Sequence, residues 1–168
     1  MQSIPYSMRM PSVNDIPVAH TPTGGWKAFP DPILEGCVDA LADGAPDLRG
    51  MWKVVTVSVK GIYDSDHEMV SSLQRIEQAG DRIVITSEGV IHDMRCDGTV
   101  EHGVHDVSID FSTEIRVVAT YENGVHMFRP VGIPIEVRRH LDGDELVWEY
   151  GPFFTARLER ISLSLIHI

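Results

Sequence analysis

The side chains with chemical potential crowd into one region. Of the eight histidines, His92, His102, His105 and His126 fall between positions 92 and 126, alongside Asp93, Glu101 and Tyr121. Imidazole titrates near neutrality, so a His next to a Tyr or a carboxylate is common machinery for proton transfer or for orienting a polar group. Tyr121 and His126 flank Asn123-Gly124, a dipeptide that favours a tight hairpin turn. Register across such a turn places the two opposite each other, with Ala119 opposite Phe128, and gives them one face. They form either an acid–base pair or a structural pair at a barrel rim.

The stretch 90–107 turns, on this reading, at Asp97-Gly98 and carries ionisable groups on both faces. One face holds His92, Met94, Cys96, Glu101 and His105; the other holds Asp93, Arg95 and His102, with Asp93 opposite His102. The first face is favoured as the inner one, because Asp93 and Arg95 are easier to solvate outside. The alternative makes Asp93–His102 an internal carboxylate–imidazole dyad. His102-Gly103-Val104-His105 has odd spacing, which sends the two rings to opposite faces of a strand and provides no convergent zinc ligands. No metal, cofactor, Gly-x-Ser-x-Gly or phosphate-cradling loop is indicated.

Around Asp142-Gly143 the two-residue register pairs Leu146 with Arg139, Trp148 with Val137 and Tyr150 with Ile135. Trp148 and Tyr150 then point inward, while Glu136, Arg138, His140, Glu145 and Glu149 form a solvated exterior. Carrying that parity through Gly151-Pro152 puts Phe153, Thr155 and Arg157 inside. An inward arginine needs compensation. Arg157 either stacks on Trp52 at the closed end or anchors a ligand carboxylate through its bidentate fork.

These side chains need strands to hold them. Segments of alternating character run near 51–60, 71–78, 82–87, 90–96, 99–107, 114–122, 125–130, 133–141, 145–150 and 153–161, separated by Gly80-Asp81, Asp97-Gly98, Asn123-Gly124 and Asp142-Gly143. The expected fold is all-β, an antiparallel up-and-down barrel of 8–10 strands spanning residues 31–161. Asp31-Pro32 and the apolar spacing of Ile33, Leu34, Cys37, Val38 and Leu41 predict a short helix ending at Gly44. Residues 1–30, with five prolines, form an extended arm anchored by Trp26 and Phe29. The arm offers a route to a homo-oligomer. Residues 162–168 read as a non-native, adapter-like tail and carry no function.

A net charge of −11 disfavours nucleic acid or an anionic membrane surface as partner. Two cysteines are too few for a disulfide framework, and neither a signal-peptide core nor a membrane-length apolar run is evident, so a cytoplasmic protein is expected.

Gly50-Met51-Trp52 at the head of the first strand resembles the Gly-x-Trp of the calycins, the lipocalin and fatty-acid-binding-protein group. That resemblance covers roughly residues 32–161 and implies a barrel around a small, largely apolar molecule. It also implies an arginine over the tryptophan, a part open to Arg157 or Arg160. Two functions follow. The first is binding of an apolar or amphipathic molecule with one polar or acidic end, lined by Trp52, Val54, Met94, Phe128, Trp148, Tyr150, Phe153 and Arg157. The second is a cofactor-independent isomerase, cyclase or lyase using His92, His126 and Tyr121 in the same cavity.

Overall fold

The computed structural model describes residues 11–108 and 114–161; expectations for residues 1–10, 109–113 and the 162–168 tail lie outside the described residues. Short alternating segments become strands β1 (Gly50–Val59), β2 (Ile62–Tyr63), β3 (Leu73–Ala79), β4 (Arg82–Ser87), β5 (Val90–Arg95) and β6 (Val104–Ser108). They continue as β7 (Glu114–Glu122), β8 (Val125–Pro130), β9 (Val137–Asp142), β10 (Glu145–Tyr150) and β11 (Phe154–Ile161). All pairings are antiparallel, in the order β5-β4-β3-β1-β11-β10-β9-β8-β7-β6, with β2 on the end of β1. The meander thus wraps into a nearly closed barrel whose two free edges, β5 and β6, meet at a seam. A backbone bond from Arg95 N–H to the His102 carbonyl, 2.9 Å long, crosses that seam.

The predicted helix is not there: the described residues contain strands and turns alone. Gly36 adopts φ 84°, which stops helical propagation after one turn. The Glu77 carboxylate takes the N–H groups of Ile33 and Leu34 at 3.1 and 2.8 Å. Leu34 is buried against Val84 and Ile91, while Val38, expected on the same apolar stripe, is 66% exposed. Packing of one leucine and one carboxylate bridge therefore holds this segment, without helical periodicity.

Two turns also differ from expectation. The β9–β10 turn centres on Gly143-Asp144, so Asp142 pairs with Glu145 and Trp148 with Arg139. This shifts the pairing by two residues and keeps the inward faces. The β4–β5 turn, Glu88-Gly89, falls where the strand limits put it, but Asp97-Gly98 lies in a longer connection from β5 to β6 instead of closing a two-residue hairpin. There the Asp97 side chain ties down the Thr99 hydroxyl at 2.7 Å and the His102 Nδ1 at 2.5 Å.

One end of the barrel is plugged. Residues 42–48 cross it, with Ala42 N–H bonded to the Gly80 carbonyl and Gly124 N–H to that of Gly44. Leu48 and Trp52 are both fully buried there, and the Trp52 indole donates to the Leu48 carbonyl at 2.8 Å. Arg160 lies over the Trp52 ring at 4.5 Å, a cation–π contact closing the plug. The arginine implied by the calycin likeness is thus Arg160, and Arg157 does not stack on Trp52.

The arm lies along the outer face of β3, β4 and β5. An outer face of a barrel normally meets water, yet Arg82, Val84 and Asp93 there are 2%, 0% and 5% exposed. Arg82 and Asp93 form a bidentate pair at 2.8 and 2.6 Å. The same guanidinium also donates to the carbonyls of Val13, Ile16 and Pro17, and Asp93 accepts from Ala19 N–H at 2.9 Å. Every donor and acceptor at this buried pair is thus used to tie four arm residues to the barrel. Trp26, the expected anchor, bonds Gly89 through its backbone and Val90 through its indole.

Arg82→Met should cost about 3–5 kcal/mol of unfolding free energy, because it leaves a buried carboxylate and three carbonyls without a donor. Urea unfolding measures this, and a loss below about 1 kcal/mol would show that the clamp is dispensable. At the seam, a methyl group at Gly103 would overlap the Val117 carbonyl oxygen. Gly103→Ala should therefore destabilise by about 1–3 kcal/mol through a displaced β6; an unchanged midpoint would refute that.

Candidate functional site

Alternation along each strand decides which side chains enter the barrel. On β8, β9 and β10, His126 pairs with Arg139 and Arg139 with Trp148, so three consecutive strands present three polar side chains at one level. Gln74 of β3 meets them from across the lumen, its Oε1 3.4 Å from Arg139 Nη2. The Arg139 guanidinium lies 4.8 Å from the Trp148 ring.

This layer is unusual in what it leaves unbonded. Arg139 is 6% exposed, His126 0% and Trp148 6%. Arg139 Nε, both His126 ring nitrogens and Trp148 Nε1 are buried with no hydrogen-bond partner. Among the described residues no carboxylate forms an ion pair with Arg139, although the protein has carboxylate partners for Arg49, Arg82, Arg95, Arg129 and Arg157. Burial pushes the Arg139 pKa down to about 9, so the group remains a cation at neutral pH. Burial, reinforced by that cation, pushes His126 down to about 3. His126 is therefore a neutral imidazole with one N–H to give. Together the layer offers a cation, an imidazole N–H and an indole N–H, with no acceptor of matching charge.

On the open side of this layer the lumen becomes aromatic. Tyr150 and Phe154 stack with centroids 5.3 Å apart, and Trp148 meets Phe154 edge-on at 5.0 Å. His92 stacks on Phe128 at 6.0 Å. His92, Phe128, Tyr150 and Phe154 point inward from the barrel wall yet are only partly buried, whereas the layer beneath, Trp148 included, is closed from solvent. The barrel is thus less closed from solvent at this end than at the plugged one.

The expected site residues divide accordingly. Trp52, Val54 and Met94 are fully buried in the main core, and Phe128, Trp148 and Tyr150 pack in or against it. His92, Met94 and Cys96 do lie on the inner face, but the reason differs from expectation: Asp93 is held outside by Arg82 and buried beneath the arm, not solvated. No Asp93–His102 dyad forms, since His102 bonds Asp97. Glu101 and His105 are not on the inner face either, because the chain leaves β5 at Arg95 and His105 Nε2 meets the Val100 carbonyl within the connection.

Tyr121 and His126 pair as expected, with rings 5.9 Å apart, but are not bonded to each other. The Tyr121 hydroxyl accepts from Gln78 Nε2 at 2.9 Å, and burial pushes its pKa up. Phe153 and Arg157 are corrections. Tyr150 pairs with Phe154, so the last turn holds three residues and inverts the parity carried through Gly151-Pro152. Phe154, Ala156 and Leu158 point inward, Phe153 is 55% exposed, and Arg157 bonds Asp142 and Glu145 outside.

Sequence reasoning missed Arg139 and Gln74 as interior polar groups. For Arg139 the signal was present: it alternates with Val137 and Leu141 on a strand whose partner residue is an inward tryptophan. Among the described residues no group of three His, Cys, Asp or Glu side chains converges as a metal site, and no helix is long and apolar enough to cross a membrane.

The architecture is an all-β, nearly closed antiparallel barrel consistent with the fatty-acid-binding-protein fold. A solved structure of human cRBP IV, a cellular retinol-binding protein, matches it with a TM-score of 0.55 at 17% sequence identity, over 68% of this chain and 98% of that one. No family model matches the sequence, and no curated protein matches it either.

The neutral His126 has a consequence for acid stability. In the unfolded chain its pKa is the ordinary 6.5, above the folded value of about 3. Below pH 6.5 the unfolded state binds the extra proton, so stability falls as pH drops, by about 1.4 kcal/mol per unit. His126→Gln keeps a neutral polar side chain and removes this proton. Urea midpoints at pH 7 and pH 5 should show wild type losing about 2 kcal/mol more than the variant. Equal losses would place His126 outside that account.

Proposed function

We propose that the barrel binds a small, largely apolar molecule with one acidic end, and that the acidic end meets Arg139. The observation that carries this reading is the buried guanidinium with no counter-charge among the described residues, beside the unbonded donors of His126 and Trp148. A buried cation left unpaired costs several kcal/mol, and an entering carboxylate removes that cost while accepting up to three hydrogen bonds. The apolar remainder runs along Phe128, Tyr150 and Phe154 toward the open end, with His92 beside Phe128 and with Trp52, Val54 and Met94 forming the packed floor. The retinol-binding description of the structurally similar human protein supports an apolar occupant for a barrel of this shape.

Phe153 and Arg157 belong to the outer surface in this reading. Isomerase, cyclase or lyase chemistry in the same cavity would fall to His92 beside Phe128, since His126 is a fully buried neutral imidazole and the Tyr121 hydroxyl is occupied by Gln78.

Titration of tryptophan fluorescence with dodecanoate and with dodecanol tests the assignment, since Trp148 stands beside the proposed anchor. Dodecanoate should bind more tightly in the wild type. Arg139→Met should lower dodecanoate affinity about 10- to 100-fold, remove the preference over the alcohol, and leave the apo protein equally or more stable. Retention of the acid preference in that variant would defeat the proposal.

A further inference from the structure

Outside the lumen, at the β5/β6 seam, we infer that the protein has a second small-molecule site, which takes an apolar amine whose ammonium group meets Glu101. A cavity of about 440 Å³ opens there between the arm, β5 and the 101–105 connection. That volume falls within the range of small-molecule sites, about 300–1,000 Å³. Ile91, Met94 and Val104 line it from the barrel side and are all buried, which gives the cleft an apolar inner wall. Val18 of the arm lines it too and is 56% exposed. A valine left in water beside such a wall is stabilised when an apolar occupant covers it.

The charges around the cleft decide what occupant suits. Both guanidinium groups of its lining are answered inside the protein. Arg82 holds Asp93 in a bidentate pair and gives its other donors to arm carbonyls. Arg95 pairs with Asp81 at 2.8 Å and donates to Asn14 Oδ1 at 2.7 Å. Neither is left to receive an anion. The carboxylates are not balanced in the same way. His102 Nδ1 bonds Asp97, a contact that raises the His102 pKa, while Glu101 lies 3.9 Å from His102 Nε2, beyond hydrogen-bond range. Even as an imidazolium, that one ring stands between two carboxylates, so one negative charge is left over at the mouth of the cleft. The net charge of −11 adds a field that concentrates cations and not anions around the protein.

An apolar inner wall with one spare carboxylate at the rim complements a molecule with an apolar body and a single ammonium group. A metal ion does not suit, since among the described residues no group of three His, Cys, Asp or Glu side chains converges. An acid of the kind assigned to Arg139 would be repelled by Glu101 and would find both guanidinium groups occupied. The flanks of the cleft are also fastened in place. Ala19 N–H is held by the Asp93 carboxylate at 2.9 Å, and Arg95 N–H by the His102 carbonyl at 2.9 Å. Arm and connection are thus both tied to β5, and a cavity held open in advance spares the ligand the cost of ordering its walls. Lumen and cleft then select opposite charges.

The experiment titrates the intact chain at about pH 7.5 with phenethylamine and with 2-phenylethanol, its uncharged counterpart of similar shape, followed by amide and indole NMR shifts. The expected result is saturable shifts of the Ala19 and Val104 amides and an unmoved Trp148 indole, with the amine binding about three- to fivefold more tightly than the alcohol. Glu101→Gln, a change at an exposed position, should remove that preference and leave the alcohol's affinity as it was. Equal binding of the two probes to the wild type would reduce the cleft to an apolar hole and overturn the amine assignment. A preference retained in Glu101→Gln would overturn the part given to Glu101. Shifts confined to Trp148, or none at Ala19 and Val104, would overturn the site. These readouts do not depend on whether the lumen binds dodecanoate.

Discussion

A guanidinium inside a nearly closed barrel, with no carboxylate among the described residues to meet it, is the constraint around which the rest of the interior is arranged. Taking such a charge out of water costs several kcal/mol even after relaxation. The fold bears that cost because the surrounding layers are otherwise well satisfied: the plug of Leu48 and Trp52 under Arg160 on one side, the apolar wall of Val54, Val57, Ala156 and Leu158 beside it. Arg139 is held in place by its strand neighbours, by the Trp148 ring and by one long bond to Gln74. Those contacts position the charge without cancelling it. A purely structural arginine would be expected to look like Arg82, whose donors are all used.

The contrast between Arg82 and Arg139 separates scaffold from site within one sheet. Both are buried, and both emerge from short strands of the same sheet. Arg82 meets a carboxylate and three carbonyls, so its burial ties the arm to the barrel. Arg139 meets a ring and an amide oxygen, so its burial stores an unmet electrostatic demand. Burial alone distinguishes nothing here. The state of the partners does.

Much of the barrel could be read directly from the chain, since turn dipeptides and alternation act locally. Ten of the eleven strands, all but β2, emerged from the pattern because each hairpin carries its own register, as the Tyr121–His126 and Ala119–Phe128 pairs show. Failures arose where the deciding contact is remote. Ile33 and Leu34 begin a helical spacing, but their backbone is held by Glu77, which lies on a strand more than forty residues away. Asp93 looks solvated until residues 13–19 are folded over it. The turn after Tyr150 holds three residues instead of two, and that single residue moved Phe153 and Arg157 from the cavity to the surface. Parity propagates errors as faithfully as it propagates information, so the inner face of β11 was lost while that of β10 was kept.

The seam and the lumen follow from the same limitation of a meandering sheet. Ten strands of this length leave the edges of β5 and β6 apart, and an open edge presents backbone groups that water or another segment must answer. The arm answers most of them, through Thr21 at Ile91 and through its wrap across Val84. The arm itself is pinned to the outer face by Arg82 and Asp93, so the segment that covers Val84 also answers the backbone of Ile91.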